Sequence, residues 1–479
     1  MGPILYSKLF DSKRFSPEKT NVEVETSLSS DKSRVIFSSS FRRLQQKAQV
    51  FGLETNASVR SRLTHTLEVS NTGSLLAKKI ADQLIKKGSL KEELRVPFID
   101  ITETCCLLHD IGNPPFGHFG EAAIKKWFDL NWINIYSKMS SKESSLIEPE
   151  LSNSLINDFL YFDGNPQGLR ICLRLGGLPL DEDCVGLNLT FSQILASVKY
   201  NNNPDDVKNG KSSKAGFFHS EAKKIEEIKE FFDWPHRFPI TYIMEAADDI
   251  SYCLSDIEDG IEKGIITPAI FFEKLFSEEI IKNFNYKKFE VEETKKNTKH
   301  DFFIFKIKLC RSLINIASNL YIKNEDLIQK GCLKDLIKED TDAYGILKAL
   351  KNFSRKYLFR SKEAENIELA GYKIILGLLE SFRPLLELSH EDFQDLVKAK
   401  RELTPLENKK LDMEWRLYNR LPDKHCIAYH NTITQMDLKD KTFCYLEWYN
   451  RAHLVVDYIS GMTDTYALET YRLLNGITI

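Results

Sequence analysis

Cys105-Cys106-Leu107-Leu108-His109-Asp110-Ile111-Gly112-Asn113-Pro114-Pro115-Phe116-Gly117-His118 decides how the chain is read. An apolar run closes on an adjacent imidazole and carboxylate, and the chain then turns at Asn113-Pro114-Pro115. Burying ionisable groups costs roughly several kcal/mol unless they are paired or hold a metal. His65 on the N-terminal side and Asp248 on the C-terminal side supply what a shell still needs. The candidate metal ligands are therefore His65, His109, Asp110 and Asp248. Two imidazoles and two carboxylates suit a borderline-to-hard divalent cation such as Mn, Fe, Co, Zn or Mg.

Helical periodicity surrounds these residues. Leu63, Leu67, Leu76, Ile80 and Leu84 mark a helix that carries His65, and Ile243, Ala247, Ile250, Leu254 and Ile257 mark another around Asp248. His109 and Asp110 fall at the end of a third, so the ligands converge from separate helices, as metal sites in bundles are built. Further helices are expected over 303–322, 344–359, 364–382 and 451–473. The alternation over 184–191 is the best short strand, so the chain reads as mainly α with at most a small β-hairpin. Residues 137–152, 201–215 and 286–300 read as loops or insertions, the second for its Asn-Asn-Asn-Pro and Asn-Gly turn signals.

With 42% hydrophobic and 28% charged residues, the 479-residue chain has the composition of an ordinary globular protein able to bury a large core. A net charge of −3 argues against a protein that coats nucleic acid, while leaving room for a local basic channel. Nine cysteines, an odd number without a Cys-x-x-Cys pair, read as reduced thiols. No apolar run approaches the roughly 18 residues of a membrane span. The start of the chain lacks the form of a signal peptide, so a cytoplasmic location is expected.

His118 follows the Asn113-Pro114-Pro115 turn, which swings it back towards the metal ligands. As an imidazole it suits general acid–base work, and Glu121, three residues on, is in reach to orient it. Asp248, Tyr252 and Asp256 fall at i, i+4 and i+8 on one helix, a stripe suited to a sugar pocket. On residue type alone Asp256 reads equally well as a capping or surface carboxylate.

Arg60-Ser61-Arg62-Leu63-Thr64-His65-Thr66-Leu67-Glu68-Val69 resembles a hallmark of bacterial deoxyguanosine triphosphate triphosphohydrolases, members of the HD-domain superfamily of metal phosphohydrolases. The same resemblance is carried by His109-Asp110-Ile111-Gly112-Asn113-Pro114-Pro115-Phe116-Gly117-His118-Phe119-Gly120-Glu121 and by Ala247-Asp248-Asp249-Ile250-Ser251-Tyr252. Similar blocks run from Phe41-Arg42-Arg43-Leu44-Gln45-Gln46-Lys47-Ala48-Gln49-Val50-Phe51 to Asp457-Tyr458-Ile459-Ser460-Gly461-Met462-Thr463-Asp464, so nearly the whole chain is covered. The block Phe162-Asp163-Gly164-Asn165-Pro166-Gln167-Gly168-Leu169-Arg170-Ile171 also resembles the family, with Asp163 where Glu is usual; scaffolding is the default role for Asn165, Gln167 and Arg170.

The resemblance implies that His65, His109, Asp110 and Asp248 hold the metal and that His118 and Glu121 are catalytic. It further implies Gln49 on the deoxyribose 3′-hydroxyl, and Arg62, Lys199, Tyr200 and Lys214 on the phosphates. Tyr252 and Asp256 would take the sugar, with Tyr252 crowding a 2′-hydroxyl. One tightly held Mn or Mg is expected. Ten histidines are few for a two-metal shell, and Asn113 stands where some relatives carry another; a second Mg can still arrive on substrate phosphates.

The implied organisation is an HD-type catalytic core over 1–270 and a helical region over 271–479 that packs on the core and on neighbouring subunits. Relatives assemble as tetramers or hexamers, and Trp448 and Tyr449 suit either a core or an interface. The implied activity is hydrolysis of dGTP to deoxyguanosine and inorganic triphosphate. The alternatives are a broader deoxynucleotide triphosphohydrolase gated by nucleotide or single-stranded DNA, used for instance in antiviral depletion, and an HD phosphodiesterase or nucleotidase. Residues that read the base are not legible at this stage.

Overall fold

A computed structural model describes residues 4–16, 22–140, 154–177, 185–277, 298–406, 408–437, 439–440 and 442–477. Among these residues the chain is helical throughout, and pairing between extended segments is limited to one isolated antiparallel bridge, Ala48 with Ser61. No helix is long and apolar enough to cross a membrane. The cysteines described are free thiols.

Three helices build the first core. Arg62–Lys87 starts at a capping box, where Ser61 and Thr64 satisfy each other's backbone N–H, and stops at Gly88, whose φ of 77° is the left-handed conformation that ends helices. It packs on Arg95–Leu108 and on Pro239–Glu262, and those two also pack on each other. Leu76, Ile80 and Leu84 are fully buried, each worth about 1.5–3 kcal/mol of apolar burial. Leu67 is half exposed and lies off that face, because two residues on from His65 is about 200° around a helix. Lys299–Lys323 and Asp342–Tyr357 complete this layer.

The second core forms around Lys362–Glu387, which packs on His118–Ser140, Phe443–Ser460 and Asp464–Leu474. Trp448 and Tyr449 lie inside it, 0% and 3% exposed, and are not interface aromatics of this subunit's surface. Both cores draw on residues before and after residue 270. The two are held together where Arg170 donates to both carboxylate oxygens of Asp457 at 2.9–3.0 Å and to Glu221 at 2.9 Å. Gln167 adds a bond to Asp457 at 3.0 Å, so this scaffold rests on a guanidinium as well as on amides.

Several expectations are corrected. The 184–191 hairpin is not formed among the described residues, Cys184 lying outside them. Gly186 and Asn188 take φ of 63° and 47°, which breaks a strand, while Leu187 bonds back to Cys172 and Thr190 caps the helix Phe191–Ser197. The single helix expected over 451–473 is two, because the Thr463 hydroxyl caps a new one. Residues 137–140 finish a helix, Pro204–Lys208 is helical within the 201–215 loop, and 299–300 already belong to the Lys299–Lys323 helix. The rest of the other two insertions, 141–152 and 286–297, lies outside the described residues.

Candidate active site

The geometry of the three-helix core explains why distant residues meet. His65 lies one turn into its helix, His109 caps the end of Arg95–Leu108, and Asp248 sits midway along Pro239–Glu262. His65, His109 and Asp248 offer ligand atoms all within 4.8 Å of one another. His65 Nε2 is 3.3 Å and His109 Nε2 3.7 Å from Asp248 Oδ1. Asp110 approaches one member, its Oδ2 lying 3.6 Å from His109 Nε2. Asp110 is in turn gripped by Arg62 at 2.7 Å and Asn113 at 2.5 Å.

These residues fit a divalent cation. His109 Nδ1 donates to the Cys106 carbonyl at 2.6 Å, which leaves the lone pair of the neutral ring on Nε2. That nitrogen is buried, has no hydrogen-bond partner, and faces carboxylate oxygens of Asp110 and Asp248. That nitrogen and the carboxylate oxygens around it call for a positive charge between them, a proton on the ring or a metal cation in its place. Burial would raise Asp248, but His109, His65 and Lys199 hold it far below the usual carboxylate range. Asp110 is likewise held down, against its burial, by His109, Arg62 and His65. Burial would lower His65, and Asp248 overrides it.

The turn after His109 packs backbone to backbone. A side-chain carbon on Gly112 would sit 2.0 Å from Gly168 N, so only glycine fits. Phe116 then takes φ of 60°, a left-handed conformation that costs a residue with a side chain about 1–2 kcal/mol, and Gly117 follows at 55°. The chain thereby enters the second core with His118 as the first residue of a helix. His118 Nδ1 donates to Glu121 Oε2 at 2.9 Å, and Glu121 Oε1 accepts Gly164 N at 2.9 Å. Burial would raise Glu121, but the bond to His118 and its charge keep it below the usual range, a carboxylate at neutral pH.

A cavity of about 730 Å³ opens between the two cores. His109, Asp110, Asp248, His118 and Glu121 all reach it, and Gln49, Arg62, Lys199, Lys214 and Tyr252 also line it. Lys199 is 4.0 Å from Asp248, and Lys214 is 3.4 Å from Asp163. Gln49 keeps a buried Oε1 without a partner. Tyr200 lies instead on an adjoining cavity of about 480 Å³ that shares Lys199 and Asp248. Asp256 lines neither and is fully buried, its carboxyl pushed up to about 8 by burial against the pull of His65.

Other walls were not foreseen. Lys351 and Arg355, one turn apart on Asp342–Tyr357, and Glu368 on Lys362–Glu387 all face the cavity. A basic pair at helical spacing and a glutamate in a charged helix look in sequence like any solvated face. Lys351 also bonds Asp249 at 2.7 Å.

Comparison with known proteins identifies the family. The HD domain family matches residues 62–151, which include His65, His109, Asp110 and His118. The phosphohydrolase-associated domain matches 429–473. The chain is 36% identical to the deoxyguanosinetriphosphate triphosphohydrolase of Enterobacter sp. (strain 638), covering 100% of both chains. It is 35% identical to that of Salmonella paratyphi A, over 96% of this chain and 95% of the relative, and 35% identical to that of Salmonella arizonae with the same coverage. With a metal-compatible corner and a hydrogen-bonded histidine–glutamate pair on one cavity, and a match of that length, this chain is a hydrolase of the deoxyguanosinetriphosphate triphosphohydrolase family, in the HD superfamily.

Proposed function

We propose that the protein hydrolyses dGTP to deoxyguanosine and inorganic triphosphate. The observation that carries this reading is the shared cavity, lined by residues of the His65–His109–Asp248 corner, by the His118–Glu121 pair and by Arg62, Lys199 and Lys214. A divalent cation held by His65, His109, Asp110 and Asp248, Mn or Mg in this proposal, would supply polarisation of a phosphoryl oxygen and acidification of water.

The protein's own groups account for the rest. Lysine and arginine give charge-assisted contacts to phosphate oxygens, and Arg62 is already fixed by Asp110 at the corner. Gln49 brings an unpaired amide oxygen suited to a sugar hydroxyl. In the reaction the oxygen of water bonds to the α-phosphorus and the α-phosphorus–O5′ bond breaks, so O5′ must receive a proton. His118 suits that transfer: with Nδ1 tied to Glu121, Nε2 is the nitrogen left to exchange a proton. Product analysis tests this regiochemistry. Deoxyguanosine with intact triphosphate supports it, whereas pyrophosphate or stepwise phosphate release rejects it in favour of a nucleotidase or phosphodiesterase.

Preference for guanine is supported by Glu368, a half-buried carboxylate on the cavity wall beside Phe116, Phe359 and Ile367. Guanine presents two adjacent N–H donors, which one carboxylate can accept together, and no other common base matches that pair. Glu368→Gln, which keeps one acceptor and adds a donor, is expected to lower kcat/KM for dGTP about tenfold or more and to change dTTP turnover far less. Competition assays across the four deoxynucleotides measure the ratio; an unchanged dGTP preference rejects Glu368 as the reader. A homo-oligomer, tetrameric or hexameric, belongs to the same proposal and is checked by light scattering.

A further inference from the structure

The buried carboxylate of Asp464 joins two stretches of chain that the proposed reaction needs in register. Its Oδ2 accepts the backbone N–H of Ala48 at 2.9 Å, next to Gln49. Its Oδ1 accepts the backbone N–H of Phe116 at 3.1 Å, two residues before His118. The donors lie 416 and 348 residues away along the chain. Lys47 braces the same junction, donating to the carbonyls of Asn113 at 2.5 Å and Ser460 at 2.9 Å. Asp464 itself is 2% exposed and is absent from the cavity wall, so it touches no substrate.

Phe116 is the residue held in the left-handed conformation, and its ring fills the space over Gly371, where an added side-chain carbon would meet it at 2.3 Å. A strained turn persists only where its surroundings over-determine it. One N–H of that turn is pinned by Asp464, and the other oxygen of the same carboxylate pins the Gln49 segment. We infer that Asp464 is a positioning residue, a two-pronged carboxylate clamp from the phosphohydrolase-associated segment that sets His118 and Gln49 at a fixed separation across the cavity. The catalytic part of this inference rests on the hydrolase reading above.

The test is Asp464→Asn in the full-length protein, which keeps shape but offers one acceptor where two are needed. Two readouts are taken: kcat with dGTP and Mn, in the native and the His118→Ala background, and hydrogen exchange resolved by peptide. The clamp predicts at least tenfold faster exchange at the amides of 47–50 and 116–117, with the 62–87 and 239–262 helices unchanged. It also predicts a tenfold or larger loss of kcat that shrinks below about twofold when His118 is already alanine, because coupled residues are not additive. An equal fold-loss in both backgrounds, or unchanged exchange at those two stretches, overturns it. Should Asp464→Asn fail to fold, Asp464→Glu, which retains the carboxylate but displaces it, is judged on the same two readouts. If the native enzyme turns over no dGTP, the substrate reading fails, and the exchange pattern alone still decides whether the clamp exists.

Discussion

Replacing His118 with alanine is expected to lower kcat by about 10²- to 10⁴-fold, the range that general acid–base assistance supplies. The bound metal content should not change. His118 makes its hydrogen bond to Glu121, not to the His65–His109–Asp248 corner, and its side chain is 79% exposed. Steady-state kinetics and elemental analysis of the purified variant measure the two quantities side by side. Glu121→Gln should fall between native and His118→Ala, since it weakens the grip on the imidazole without removing the proton carrier. Loss of metal from His118→Ala would mean that the ligand shell extends across the cavity and that His118 belongs to it. A raised KM with kcat retained would make it a binding residue.

The metal corner was legible because helical period and residue chemistry agree there. His65, His109 and Asp248 sit at positions that three packed helices must turn inwards, and an imidazole beside a carboxylate has few bland uses in an apolar run. The His118–Glu121 bond was legible for a local reason: three residues is one helical turn. What was not legible depended on where helices sit relative to one another. Asp256 shares a helix with Asp248 and is fully buried next to Tyr252, which lines the cavity. Tyr200 is next to Lys199 in sequence but opens on the adjoining cavity. Glu368 acquires its place only when the second core folds against the first, and Lys351 when Asp342–Tyr357 packs on Pro239–Glu262. The 184–191 stretch misled because alternating apolar residues also serve an irregular segment, once left-handed turns at Gly186 and Asn188 let each side chain find its own pocket.

Arg170→Met is expected to destabilise the fold by about 3–5 kcal/mol at pH 7, the cost of removing one partner from a buried ion pair. Arg170 lies between Asp457 and Glu221, whose side chains are 2% and 0% exposed; methionine leaves Asp457 without its arginine, while Glu221 keeps Arg174 at 2.9 Å. Burial would raise the Asp457 carboxyl, and Arg170 instead holds it below the ordinary value. The sign with pH follows. A carboxylate with a lowered folded pKa contributes stability that is complete above its unfolded value of about 3.9 and is lost as pH falls through the folded value. In the variant the same carboxyl loses its cation, so burial raises its pKa and it takes up a proton on acidification. The gap between native and variant should therefore be widest near neutral pH and narrow below about pH 5. Urea unfolding at pH 7 and pH 4.5 measures it; a gap under about 1 kcal/mol at pH 7, or one that widens in acid, contradicts the pairing. Arg170 is not on the cavity wall. Specific activity per folded molecule should therefore survive in this variant, in contrast to His118→Ala, which should keep its stability and lose its turnover.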